Sequence, residues 1–290
     1  MQAVLILAHK NENQVFKLAK LMSSKFEVYI HFDVKYHLAQ DQLDKFKANK
    51  IKVFSVYDVK WGSFSILKAT FLLLKEALKN KKITYFHLIS GQDWPMTNLN
   101  KLYKSFEDNN TVYLNYSKAK YKKAVGEPEI LWVKYYYNYD QINRRTGFGK
   151  IYHRFLLLIE TILRINKLKK FGISDEQIYS GQEWFDVPRD VAEYLINVFE
   201  KNETWEKIFS TSFCSDEMFI PTILCNSSYV SRIDKNIHRY ILPVKRHGSL
   251  PSILDVTDFR KIKNGNYWWG RKIESPYSDE LVDKINKEIL

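Results

Sequence analysis

Short apolar runs alternate with helix-period segments through the first 116 residues of this chain, and that alternation limits the fold more than any other feature. Residues 3–8 form an unbroken apolar run, suited to a strand buried on both faces. Residues 13–23 place Val15, Leu18, Ala19 and Met22 at helical spacing. A second strand is expected at 28–32, ending at Asp33, and a third at 51–56. Residues 65–78 repeat apolar side chains on a helical period, residues 85–89 form a fourth strand closed by Ser90-Gly91, and 111–116 form another. Strand and helix taking turns specify an α/β fold, a Rossmann-type, mostly parallel sheet flanked by helices. Ligands of such sheets sit beyond the carboxyl ends of the strands. There the sequence puts His9, Asp33 and the stretch Ser90-Gly91-Gln92-Asp93-Trp94-Pro95.

Beyond residue 116 the pattern changes. Residues 118–150 are rich in Tyr, Lys and Arg with weak periodicity, as expected of a long, partly irregular excursion over a functional edge. An amphipathic helix with a basic end is expected at 155–169, a strand pair or strand–loop at 177–187, and a helix opened by Pro188 through 199. A strand at 237–242 and helices at 257–264 and 278–288 complete the order. Without repeats or a clear linker, one integrated domain is expected over residues 1–290.

Several chemistries are disfavoured. Ala8-His9-Lys10-Asn11 follows the first strand where a glycine-rich phosphate loop would stand, and neither zinc-ligand spacing nor a nucleophile elbow is present. The segment Cys214-Ser215-Asp216-Glu217-Met218-Phe219 opens a mostly apolar run. It reads as a loop delivering a carboxylate to the first turn of a buried helix, with Ser215 placed to cap it. Glu217 is then a candidate general base; an ordinary capped helix with a solvated first turn would have the same sequence. Asp33-Val34-Lys35 has a lysine where a metal-holding Asp-x-Asp would carry its second carboxylate, which suggests a site without a divalent ion. Tyr267-Trp268-Trp269-Gly270-Arg271-Lys272 and Lys245-Arg246-His247 offer cations for phosphate oxygens, or an aromatic cluster with surface charges. Gln92-Asp93-Trp94 and Gly181-Gln182-Glu183-Trp184-Phe185 pair polar side chains with aromatics, a mixture that suits sugars and also suits cores.

The formal net charge of +12 draws anions: nucleic acid, acidic membranes or phosphorylated small molecules. Clusters at 79–82, 118–123 and 167–170 read first as solvated surface. Two cysteines, Cys214 and Cys225, with no disulfide framework favour a reducing compartment. Neither a signal peptide nor a spanning segment is visible; the run 155–165 is interrupted by Glu160 and Arg164. The expected location is cytoplasmic, with the 155–170 helix available for peripheral attachment to the anionic inner face of the cell membrane.

Together these segments resemble glycosyltransferase family 14, the core-2/I-branching β-1,6-N-acetylglucosaminyltransferase and xylosyltransferase family. Ile30-His31-Phe32-Asp33-Val34-Lys35 is similar to its Val-His-Val-Asp-x-Lys, and Lys60-Trp61-Gly62-Ser63-Phe64-Ser65 to its Trp-Ser helix start. The stretch 87–95 resembles its Gly-x-Asp-Phe/Trp-Pro segment, 180–188 its Gly-Ser-x-x-Phe-x-Val, 214–219 its Ser-Pro-Asp-Glu, and 270–273 its Ala-Arg/Asn-Lys-Phe. The resemblance implies a GT-A-like fold with a nucleotide-binding half at 1–116 and an acceptor and catalytic half at 117–290, inverting chemistry, no metal and no other cofactor. It makes Glu217 the base and Lys272 a diphosphate contact, with Arg246 or Arg239 a guess for a second. His9, Asp33, Lys35 and Arg271 join the donor side; Asp93, Trp94, Gln182, Glu183 and Trp184 are assigned to the acceptor side. Ser215 replaces the family's Pro, and no counterpart of the animal enzymes' acceptor tryptophan follows Arg239, so the animal acceptor is not carried over. Read as bacterial from its short, signal-free sequence, the chain is expected to meet a bacterial-type glycolipid or polysaccharide acceptor. The implied reaction moves a sugar, foremost N-acetylglucosamine, from a UDP-sugar to a hydroxyl of a glycan or lipid-linked saccharide, forming a β linkage. UDP-xylose, UDP-galactose or UDP-glucose are alternative donors. A non-catalytic protein binding an anionic polymer is the rival class, and nucleic acid is not the expected partner.

Overall fold

In the computed structural model, which describes every residue except Val125, the alternation of the first part of the chain becomes four parallel strands. They run in the order Tyr85–Ser90, Gln2–Ala8, Glu27–Phe32, Lys52–Phe54. Ala3 to Ile6 and Phe86, Leu88 and Ile89 are wholly buried, because continuous apolar runs fill both faces of a covered parallel sheet. Helix Glu12–Met22 buries the four residues whose spacing announced it. The α/β class with a mostly parallel sheet flanked by helices, GT-A-like, stands.

The chain divides into two compact units, each assembled from separate segments. One comprises Met1–Ser55, Lys81–Asn110 and Asn236–Leu290; the other comprises Val56–Asn80 and Thr111–Lys235. The first unit holds the four parallel strands and a small sheet in which Trp269–Arg271 pairs parallel to Arg239–Ile241 and antiparallel to Asp93–Pro95. Both three-residue strands 93–95 and 269–271 escaped the sequence pattern, being too short for alternation to register. The helices Gln40–Ala48 and Glu203–Phe209 were likewise not anticipated.

In the second unit, Val112–Lys118 pairs parallel to Ile233–Asp234 and antiparallel to Tyr179–Pro188. The region 177–187 is thus one long strand. Its register against Val112–Lys118 shifts between Leu114 and Tyr116. A Cβ on Gly181 would lie 1.9 Å from the Asn115 carbonyl oxygen, so only glycine fits this irregularity. Helices Phe64–Leu78 and Arg189–Lys201 meet through Phe71 and Phe199, stacked 4.0 Å apart between ring centres.

The helix expected at 155–169 starts and ends earlier than its sequence pattern indicates. It spans Gly147–Ile162, its start closed by the Thr146 hydroxyl, which accepts from the Gly149 N–H at 2.9 Å. Two glycines in its first turn hide that start from a propensity reading. A separate short helix, Lys167–Lys170, begins at Asn166.

Candidate active site

The loop before the helix Ser215–Cys225 is fixed by three backbone bonds to three different segments. Tyr137 N–H donates to the Thr211 carbonyl at 2.8 Å, Phe213 N–H to that of Trp132 at 2.9 Å, and Cys214 N–H to that of Gly62 at 2.9 Å. Phe213 is buried edge-on against Trp61, Trp132 and Tyr139, at 5.4, 5.1 and 5.1 Å between ring centres. Gly62 has φ +74°, and a Cβ there would stand 2.3 Å from the Phe213 ring. The Trp61-Gly62 pair therefore serves the loop rather than only the helix that follows it. Just upstream, the buried Lys167 ammonium donates to the Ile208 carbonyl at 2.7 Å and to the Thr211 and Ser212 hydroxyls at 3.0 and 3.1 Å. Burial pulls Lys167 down to about 7, opposed by the Glu160 charge. This lysine belongs to the 167–170 cluster read as solvated surface, and the structure corrects that for Lys167.

Cys214 takes the cap position in the left-handed conformation, φ 48°, and no side chain caps the helix. The expectation that Ser215 caps it is corrected: Ser215 is already the first helical residue, and its buried hydroxyl has no hydrogen-bond partner. Asp216 is buried and Glu217 half-buried. The helix is clipped to the strand Tyr179–Pro188 at Thr222, whose hydroxyl accepts from Tyr179 N–H at 3.1 Å and donates to the Tyr179 carbonyl at 3.0 Å.

The carboxylates gather here. Burial, then the charges of Asp216 and Glu129, push Glu217 up to about 8, with Lys122 opposing. Burial and the charge of Glu183 push Asp216 well up, while the N–H groups of 216 and 217 act the other way. Two neighbouring carboxylates in a sheltered place do not ionise independently, so Asp216 and Glu217 hold protons more tightly than ordinary carboxylates. Burial also pushes the Cys214 thiol up, which makes it a poor nucleophile. Glu129 accepts from the Ser180 hydroxyl and lies 3.5 Å from the Lys122 ammonium. Glu127 accepts from the Trp132 indole at 2.6 Å and bonds His153 Nε2 at 2.8 Å; His153 Nδ1 in turn bonds the Tyr139 hydroxyl.

Glu127, Glu129, Lys122, His153 and Lys167 were not singled out from the sequence. A usable signal existed: Glu127 and Glu129 are the only acidic residues between Asp108 and Asp140, inside an otherwise basic stretch. Of the residues expected on the acceptor side, Glu183 acts on Asp216 and Trp184 is buried. Gln182 has a buried side-chain oxygen with no hydrogen-bond partner, an acceptor aimed at something the protein does not supply.

The other candidates lie in the first unit. Asp33 is buried, accepts from Lys35 N–H at 3.0 Å and pairs with the Lys35 ammonium at 3.3 Å, so the lysine neutralises the carboxylate it stands beside. His9 is exposed at the end of the first strand. Lys10 pairs with Glu274 at 2.7 Å. Asp93 is wholly buried, accepts from Ser90 N–H and hydroxyl at 2.6 Å each, and lies 3.9 Å from the Arg271 guanidinium. Trp94 is buried with its indole N–H on Asn286 at 3.2 Å, so it is a core residue, not an open platform for a sugar. Lys272 donates to the Ser249 hydroxyl at 3.1 Å. Arg246 donates to the Ile253 carbonyl at 3.0 Å and bonds Asp258, which also receives the Tyr240 hydroxyl at 3.1 Å. These bonds clamp the 246–258 loop, and the guess of Arg246 as a diphosphate contact loses its support. Arg239 is buried, donates to the Leu88 carbonyl at 3.1 Å and faces the Trp269 ring. Among the described residues, no three metal-capable acidic, His or Cys side chains are grouped to hold an ion.

No curated protein matches the sequence. The family model of the Core-2/I-branching enzyme matches residues 3–263, a span that contains the whole carboxylate cluster and ends before Arg271 and Lys272. With nine-tenths of its length matched and the α/β architecture such a family requires, this chain belongs to the Core-2/I-branching enzyme family of glycosyltransferases.

Proposed function

We propose that the protein transfers a sugar from a UDP-sugar to an acceptor hydroxyl with inversion, and that Glu217 is the general base. The observation that carries this reading is a half-buried carboxylate at a helix start whose proton affinity is raised by burial and by Asp216 and Glu129. A base tuned toward neutral pH takes a hydroxyl proton more readily than an ordinary carboxylate would. As Glu217 accepts that proton, the acceptor oxygen bonds to the anomeric carbon and the bond to the diphosphate oxygen breaks. An α-linked donor becomes a β-linked product, and UDP departs with the bonding pair. Lys272 and Arg271 are assigned to the departing diphosphate, where fixed cations stabilise growing charge. Lys35 beside Asp33 favours a donor site that works without a divalent ion. N-acetylglucosamine is the leading donor sugar, and a glycan or lipid-linked saccharide the acceptor class. Both cysteines are free, which fits a reducing, cytoplasmic setting.

The test is UDP release and product analysis over a panel of UDP-sugars, with and without EDTA, for the wild type and Glu217→Gln. Turnover that persists in EDTA and falls by about two to four powers of ten in the variant is expected. An absolute manganese requirement would overturn the cation assignment. Near-normal turnover in Glu217→Gln would overturn the base.

A further inference from the structure

We infer that the helix Gly147–Ile162 is a docking surface for an anionic lipid bilayer, lying in the plane of the interface with its apolar side among the acyl chains. This helix is built inside out. Its buried residues are Gly149, His153 and Glu160, whereas Phe148, Ile151, Phe155, Leu158 and Ile162 are between 58% and 70% exposed. These five follow steps of three and four residues, so they form one continuous stripe along the helix. Leu163, just past its end, is 64% exposed and extends the stripe.

The inward polar groups are satisfied. His153 bonds Glu127 and Tyr139, and the Glu160 carboxylate accepts from Tyr136 N–H at 2.9 and 3.2 Å. The polar residues thus face the protein because partners hold them there. The apolar stripe has nothing comparable to cover it. A patch of this extent on a soluble surface marks an interaction site.

Charge selects the occupant. The exposed ionisable residues from 143 to 170 are Arg145, Lys150, Arg154, Arg164, Lys169 and Lys170, all basic. The one acid of the helix, Glu160, is buried. A second copy of the chain laid on the stripe would set this basic rim against its own duplicate, with like charges opposed. An anionic bilayer meets both features at once: headgroups take the cations and acyl chains take the stripe. Sixteen residues make a helix of about 24 Å, short of the roughly 30 Å hydrocarbon core. No helix among the described residues is long and apolar enough to cross a membrane, so the contact is superficial. Docking this way would concentrate the enzyme on a membrane that carries lipid-linked acceptor.

The deciding experiment is flotation of the full chain with vesicles of phosphatidylcholine alone and of phosphatidylcholine mixed with phosphatidylglycerol. The wild type is expected to float with the mixed vesicles, less so as salt is raised, and not with the neutral ones. Ile151→Ser/Leu158→Ser and, separately, Lys150→Glu/Arg154→Glu are each expected to lower partitioning by about tenfold or more. Val244→Ser, an exposed apolar change elsewhere, should float as the wild type does. UDP-sugar turnover on a water-soluble acceptor should be unchanged in all three, so a failure here is separable from a failure of the proposed reaction. Absence of wild-type flotation with both vesicle types overturns the proposal. So does a serine variant that floats normally, or one that only converts a dimer to a monomer. Should the serine variant fold poorly, the rim variant decides alone.

Discussion

The two compact units treat their acidic residues in opposite ways. In the first unit the buried acids stand beside cations: Asp33 with Lys35 at 3.3 Å, Asp93 with Arg271 at 3.9 Å, and the structural Asp258 with Arg246. In the second, Asp216 and Glu129 both raise Glu217, Glu183 raises Asp216, and the one opposing cation, Lys122, is already paired with Glu129 at 3.5 Å. A carboxylate paired with a cation keeps its charge and is a weak base. A crowded, sheltered one holds its proton and becomes a stronger base once that proton leaves. The acid–base work is therefore expected of the second unit, and the handling of anionic donor charge of the first.

The sharpest way to break this contrast is to exchange which unit matters to proton transfer. Glu217→Gln should lower turnover by about two to four powers of ten. Asp93→Asn, in the first unit, should leave the pH profile of residual turnover unaltered, whatever it does to folding. Next in size, Lys272→Ala should reduce turnover by roughly a hundredfold if it stabilises the leaving diphosphate. UDP-sugar titration of that variant, followed calorimetrically, should show weaker binding. Unimpaired binding and turnover would remove Lys272 from the donor site. Arg246→Ala, by contrast, should cost stability and not turnover at a permissive temperature. Losing its clamp on Asp258 should cost about 1–3 kcal/mol, visible as a lower melting temperature.

A subtler prediction concerns pH. The productive form has Glu217 unprotonated, so kcat/KM should rise with pH and level off above about 8. Glu129→Gln removes one of the charges that raise Glu217, so the rising limb should move to lower pH while the plateau changes little. A limb that stays in place would mean that Glu129 does not act on the base.

How much of this was readable beforehand follows physical lines. The parallel strands were legible because continuous apolar runs at 3–8 and 85–89 have few other uses. The place of Glu217 in the first turn of a buried helix was legible because an acidic pair opening an apolar run is a local pattern. The short strands at 93–95 and 269–271 were not, since three residues cannot show a period. Nor was the clustering of Glu129 and Glu183 with Glu217, because contacts between residues far apart in sequence leave no local trace. Trp94 was misjudged for a related reason: a tryptophan beside polar residues has the same sequence whether it faces a ligand or Asn286. The inverted helix Gly147–Ile162 was displaced by eight residues at its start, because its polar side faces inward and its glycines disguise the first turn.

The smallest expected effect is also the one that ties reactivity to stability. Glu217 rises from 4.5 to about 8 on folding, so the folded state binds its proton more tightly than the unfolded state. Its contribution to stability is complete below pH 4.5 and is lost as pH climbs through about 8. Glutamine cannot ionise and suffers no such loss. Glu217→Gln should thus match the wild type in stability at low pH, gain on it across that window, and hold a constant advantage above it. Because Glu217 is only half-buried, the advantage should be about 1 kcal/mol, or roughly 2–4 °C in melting temperature for a chain of this size. Melting curves of both proteins across that range decide the matter. An offset independent of pH would mean that the carboxylate is solvated as freely in the folded chain as in the unfolded one, and the contrast between the two units would lose its physical basis.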